Sequence, residues 1–210
     1  MGPRAAQIWA IGVVVGVSVG AVEGRELDGA GRGRVVKDPE SLSVVVVIDN
    51  RAQVSPVVLD NAEKEVARIY LHAGVKTIWR PAPEPATAFT VRLIIQAKFL
   101  GQPAGSEFLM GAAPPTTNDC AGPVYIFLDQ VTGFSNVQRI EPWVVLGAVI
   151  AHEIGHRLLR HSGHSSEGLM RAPWSATDWE KASLGLLLLT KGEREAIQST
   201  ISNCAARIES

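Results

Sequence analysis

The spacing of apolar positions changes several times along the chain, and each change marks an element. Ser43–Ile48, SVVVVI, is a continuous β-branched run closed by Asp49-Asn50, the pattern of a central strand buried on both faces. From Pro56 to Ala73, Val57, Val58, Ala62, Val66, Ile69 and Tyr70 fall near helical spacing, and Gly74 ends the run. Val75–Trp79 reads as a short strand stopped by Arg80-Pro81 and the PAPEP loop. Phe89–Ala97 alternates and then turns wholly apolar, again a strand. Gly101–Pro123 is loop-rich, with a short strand predicted over Glu107–Ala113, and Val124–Leu128, VYIFL, is a clearer strand. Pro142 suits the first turn of a helix whose apolar side carries Trp143, Leu146, Ile150, Ile154 and Leu158. After Met170, Pro173 and SATD (175–178) read as turn. Thr190-Lys-Gly-Glu193 has the spacing of a capping box and opens a last helix to about Ile208, with Ala196, Ile197, Ile201 and Ala205 as its buried side.

The order is therefore strand, helix, three or four strands, helix, and a closing helix. A first strand–helix–strand unit implies parallel pairing through a crossover. The expectation is an α+β domain over residues 43–210, with a twisted mixed sheet of four or five strands.

The amino terminus breaks this pattern. Arg4 precedes Ile8–Val19, an apolar run of about a dozen residues, and Gly20-Ala21 offers a small-residue cleavage site. Residues 1–21 thus read as a secretory signal peptide, which predicts an exported protein. The rival is an N-terminal membrane anchor, for which the run falls short of the roughly 20 residues a span needs. Residues 22–42, rich in glycine, arginine and charge, read as a flexible leader. The whole chain of 210 residues has net charge −1 and no Lys/Arg cluster, which argues against a nucleic-acid partner. Its two cysteines, Cys120 and Cys204, can pair in an oxidising compartment; spacing alone does not bring them together.

Chemistry concentrates in Ala151–Met170, AHEIGHRLLRHSGHSSEGLM. His152 and His156 lie one helical turn apart, so both imidazoles can converge on one ion. Val145, Ala148, Val149 and Leu159 share their stripe, which predicts dry surroundings. Glu153 points about 100° round the helix, where a general base beside a metal would sit. Arg157, four residues on, can pair with Glu153 or lie exposed on the helix shoulder. HExxH also occurs by chance on buried helices whose histidines are hydrogen-bonded in the core; a later histidine and Met170 favour the metal. His164 is the expected third ligand, because Ser162-Gly163 allows a reversal after a helix that continues through Leu159. His161 reaches the ion only if the helix breaks straight after His156. Glu180 is the remaining alternative, if a downstream glutamate completes the set.

HEIGH, a further His, and Ser-x-x-Gly-Leu-Met together resemble the metzincin zinc proteases, most closely their short matrixin-like members. The match is imperfect: Leu159 and Ser162 stand where the family has its glycine and third histidine, and His164 comes two residues late. The resemblance implies a metzincin-like catalytic domain with an active-site helix and a C-terminal helix. It also implies Zn2+ held by three histidines, and hydrolysis of a peptide or protein substrate by a zinc-activated water with Glu153 as base. Met170 then forms a hydrophobic floor, and an extended substrate is laid along a sheet edge, here assigned to Phe108, Leu109, Met110 and Gly111. A leader thiol that inhibits the metal, as matrixins have, is absent from residues 22–42. The alternatives are an exported zinc-binding module of the same fold without activity, and a small-molecule zinc amidase.

Overall fold

Four of the five strands are parallel, and the site helix packs across them. In the computed structural model, residues 42–82, 89–99, 109–116, 120–160 and 163–208 are described, all within the unit Asp38–Ser210. The signal and leader expected before residue 42, the Phe108 end of the predicted edge, and His161 lie outside them.

β1 (Ser43–Asn50) sits second in the sheet, because its valines supply both faces. α1 (Pro56–His72) follows, with Pro56 in its first turn and the Ser55 hydroxyl accepting from the Val58 N–H at 3.4 Å. Gly74, at φ +74°, turns the chain back into β2 (Lys76–Pro81). β2 pairs parallel to one side of β1, and β3 (Thr90–Gln96) parallel to the other. β5 (Ala121–Phe127) adds in parallel to β3. β4 (Gly111–Ala112) closes the edge antiparallel to β5, giving the order β2-β1-β3-β5-β4. The expected α+β mixed sheet is present, and the predicted Glu107–Ala113 strand narrows to two residues in its described part.

The remaining helices are α2 (Leu128–Gln138), α3 (Pro142–Leu159), α4 (Ala176–Ser183) and α5 (Lys191–Ile208). Fourteen of the eighteen residues of α3 are buried, so it is a core helix rather than an amphipathic one. It lies against α1, where the Tyr70 hydroxyl donates to the Ala151 carbonyl at 2.8 Å, one residue before His152. Gly147 permits this approach; a Cβ there would stand 3.2 Å from the Ala62 carbonyl oxygen.

Several expectations need correction. Leu128 begins α2 rather than ending a strand, and residues 176–183 form α4 rather than a turn. Ser175 caps α4: its hydroxyl accepts from the Asp178 N–H at 3.3 Å, while the Asp178 carboxylate accepts from the Ser175 N–H at 2.8 Å. On α5 the buried side is Ile197, Ile201 and Cys204, while Ala196 and Ala205 are exposed. The cause is a disulfide between Cys120, immediately before β5, and Cys204, which turns that face inward. Arg157 is buried and forms no ion pair with Glu153 among the described residues. Val57, counted on the apolar side of α1, is exposed.

Among the described residues, no helix is long and apolar enough to cross a membrane.

Candidate metal centre

α3 carries His152 and His156 on one face, and it continues past them. It ends at Leu159, where Arg160 adopts φ 57° and its N–H reaches the His156 carbonyl at 3.1 Å. The chain then returns beneath the helix. The Ser165 N–H donates to the Met170 carbonyl at 2.9 Å, and the Ser165 hydroxyl donates to the Glu193 carboxylate. Leu169 N–H reaches Leu188 O at 2.9 Å, fastening the same loop to the segment before α5. Gly168, at φ +72°, makes that approach; a Cβ would lie 2.8 Å from Leu188 O.

These contacts bring His164 to the other two histidines. Ring centroids are 4.6 Å apart for His152–His156, 5.3 Å for His152–His164 and 5.0 Å for His156–His164. One ring nitrogen from each lies within 4.8 Å of the others, close enough to hold a metal ion. No other group of three or more His, Cys, Asp or Glu does so among the described residues. Glu180 is exposed on α4 and takes no part in it.

Hydrogen bonding fixes the chemistry of His152. Its Nδ1 lies 2.8 Å from the Leu169 carbonyl, which can only accept, so Nδ1 carries the proton and Nε2 offers a lone pair. That Nε2 stands 3.0 Å from Nε2 of His156. Burial pushes the His152 pKa down to about 4; the Leu169 carbonyl opposes the shift, and His156 and His164 add to it. At neutral pH the imidazole is therefore uncharged, as a ligand must be. His156 is half-buried and His164 exposed, so the group opens to solvent on the loop side.

Met170 is fully buried, with its sulfur against Gly155; a Cβ on residue 155 would collide with that sulfur. The glycine in HEIGH thus lets the methionine pack directly under the helix.

Glu153 is buried beside the histidines and faces the edge strand. A Cβ on Gly111 would come within 2.6 Å of Glu153 Cγ and 2.9 Å of its Oε1, so the glycine leaves the space that the carboxylate fills. It has no hydrogen-bond partner among the described residues, and burial pushes its pKa up to about 8.

Histidines and glutamate open on a cavity of about 660 Å³, also bounded by Leu109, Met110 and Gly111 of the predicted edge. Its far wall is aromatic and was not foreseen from sequence. Phe134 and Trp179 have ring centroids 4.7 Å apart, Trp179 and Trp174 4.9 Å, and Trp174 and His152 5.2 Å. Trp174 Nε1 donates at 3.1 Å to Leu169 O, the same carbonyl that orients His152. Two tryptophans five positions apart just after Met170 were the available signal, hidden because the intervening residues read as turn.

Searched against known protein families the chain matches none, and no curated protein matches it.

Proposed function

We propose that the chain is an exported zinc-dependent endopeptidase of metzincin type, with His152, His156 and His164 as metal ligands and Glu153 as general base. The observation that carries this reading is the convergence of three imidazoles beside a buried carboxylate at the mouth of one cavity. The donor set fits zinc: three imidazole nitrogens, without the oxygen cage that calcium or magnesium requires. When bound, zinc supplies Lewis acidity to a carbonyl oxygen and lowers the pKa of a coordinated water to about 7.

The protein's own groups do the rest. The Leu169 carbonyl holds His152 in the tautomer that presents Nε2. Met170 and Gly155 fix the height of the loop below the helix. Glu153 takes a proton from the attacking water and returns it to the leaving amine; a nearby dication would favour its carboxylate form against the upward push of burial. β4, an antiparallel edge strand, offers its outer side to an extended peptide, and main-chain hydrogen bonds would hold the substrate there.

The test is cleavage of a denatured protein mixture by leader-free, zinc-loaded protein, with and without chelator, beside Glu153→Ala. The variant should keep its zinc and lose activity by about a hundredfold or more. If zinc-loaded parent protein cleaves no peptide, the endopeptidase reading fails and a binding module remains. Cleavage confined to small amides would favour an amidase.

A further inference from the structure

Arg157 directly follows His156 and is a buried cation that no carboxylate pairs with among the described residues. Its Nε is buried without an acceptor, an arrangement that costs stability. Nη2 donates to two main-chain oxygens from different segments, Pro114 O and, at 3.2 Å, Pro123 O.

The sheet register explains why those two carbonyls need a donor. β4 and β5 pair as Gly111↔Ile126 and Ala112↔Tyr125. Phe127 N–H donates to Met110 O at 2.9 Å, which marks 110↔127 as a hydrogen-bonded rung. Such rungs alternate in an antiparallel pair, so the next fall at 112↔125 and then at 114↔123. Both residues of that last rung are proline. Each would donate to the other's carbonyl, and neither has an N–H to give. The guanidinium of Arg157 supplies the missing donor to both oxygens. Gly122 lets the group lie flat on β5: a Cβ there would be 2.9 Å from Nη1 and 3.0 Å from Cζ.

We propose that Arg157 is a positioning residue that replaces the absent rung, pins the exit of β4 to β5 and the site helix, and thereby holds Gly111 against Glu153. Arg157 and Glu153 are one helical turn apart. One packs on Gly111 and the other binds the carbonyl three residues further along, so a single face of α3 sets where the edge strand lies. A two-residue strand has little pairing of its own, which is why it needs the clamp. The substrate-binding consequence rests on the endopeptidase reading; the clamp itself does not.

The experiment measures amide hydrogen exchange in Arg157→Met, which keeps an apolar stem and removes the donors, and in Arg157→Met with Pro114→Val, which restores one backbone N–H to the rung. Exchange at Ala112, whose N–H lies in the 112↔125 rung, should rise roughly tenfold in the single variant, about the worth of one net hydrogen bond. It should stay unchanged in α1 and α3, and fall back in the double variant. Zinc content should be unchanged, and KM for an extended peptide should rise more than kcat falls. Unchanged exchange at Ala112, or an equal rise throughout α3, overturns the clamp. So does a double variant that folds no better than an unfolded single one. Exchange needs neither metal nor turnover, so a parent protein that cleaves nothing would remove the endopeptidase reading and leave this test standing.

Discussion

His152 and His156 reach the candidate metal position by a different kind of structure from His164. The first two are fixed by a helix buried nearly all round, whose 3.6-residue repeat alone sets them on one face. His164 is exposed, on a segment without regular structure, and is placed by contacts distant in sequence: Ser165 to Glu193, and Leu169 to Leu188. Two ligands are thus local to α3, and the third depends on the segment leading into α5, a helix that carries no ligand. The difference implies unequal sensitivity, and four sets of substitutions measure it.

The largest effect belongs to the helix pair. His152→Ala removes a buried, pre-oriented ligand and leaves Leu169 O with one donor fewer. Its loss of zinc affinity should exceed the 10–100-fold typical of an outer-shell partner. His164→Ala should cost less, because water can take an exposed position. Zinc competition against a chelator ranks the two; if His164→Ala is the more damaging, the contrast between helix-borne and loop-borne ligands is wrong.

Breaking the Cys120–Cys204 disulfide comes next. Replacing both cysteines by serine should cost about 2–5 kcal/mol of stability, read by denaturant unfolding. It should also weaken zinc binding through α5, which the bond ties to β5. Zinc affinity that survives at temperatures where the variant remains folded would show that only the local contacts of α5 matter.

Ser165→Ala isolates one such contact, the hydroxyl donating to buried Glu193. Glu193 also accepts from the Thr190 N–H at 2.7 Å, so it caps α5 and anchors the loop together. A loss of zinc affinity of about 10–100-fold is expected, with little change in melting temperature. Thr190→Ala serves as the contrast, since it weakens the cap and spares the anchor. Equal zinc affinities for these two variants would mean that the Ser165 contact does nothing for His164.

The same division explains what the sequence made legible. β1 and α3 announce themselves through short-range pattern, and so does the capping box at Thr190–Glu193. α2 does not: Phe127 gives no side-chain cap, and of its apolar residues Leu128, Val131, Phe134 and Val137 only Val131 is buried, so their spacing does not mark a core face. α4 carries a Ser175–Asp178 capping box, but small and polar residues in its first turn imitate a loop. Arg157 could not be placed from its own helix, because its partners are carbonyls on two other segments, left without donors by two prolines distant in sequence. The aromatic wall has the same origin, since Phe134, Trp174 and Trp179 meet only after α2 and α4 are in position. Periodicity reports what one element does, whereas the cavity is assembled from several.

The smallest effect is a pH-dependent one at α4, on the loop-borne side of the site. Burial acts to raise the Asp178 pKa, but the Ser175 hydroxyl and N–H and the charge of Arg171 outweigh it and hold the carboxyl below its ordinary value. The carboxylate accepts from the Ser175 hydroxyl at 2.6 Å and pairs with Arg171 Nη1 at 3.2 Å. A carboxyl depressed in the folded state contributes its stability above the unfolded pKa, about 4, and loses it as pH falls through the lower folded value. Asp178→Ala should therefore cost about 1 kcal/mol near neutral pH, the usual worth of a helix cap. The gap between variant and parent should close on acidification below the ordinary aspartate value. Thermal unfolding of both proteins across that range, followed by tryptophan fluorescence, checks this, because Trp174 and Trp179 flank the cap. A gap that stays constant into acid would show that the contribution of Asp178 comes from packing and not from its charge. The cavity wall would then be anchored without Arg171, and acid would leave the loop-borne side of the metal site as intact as the helix.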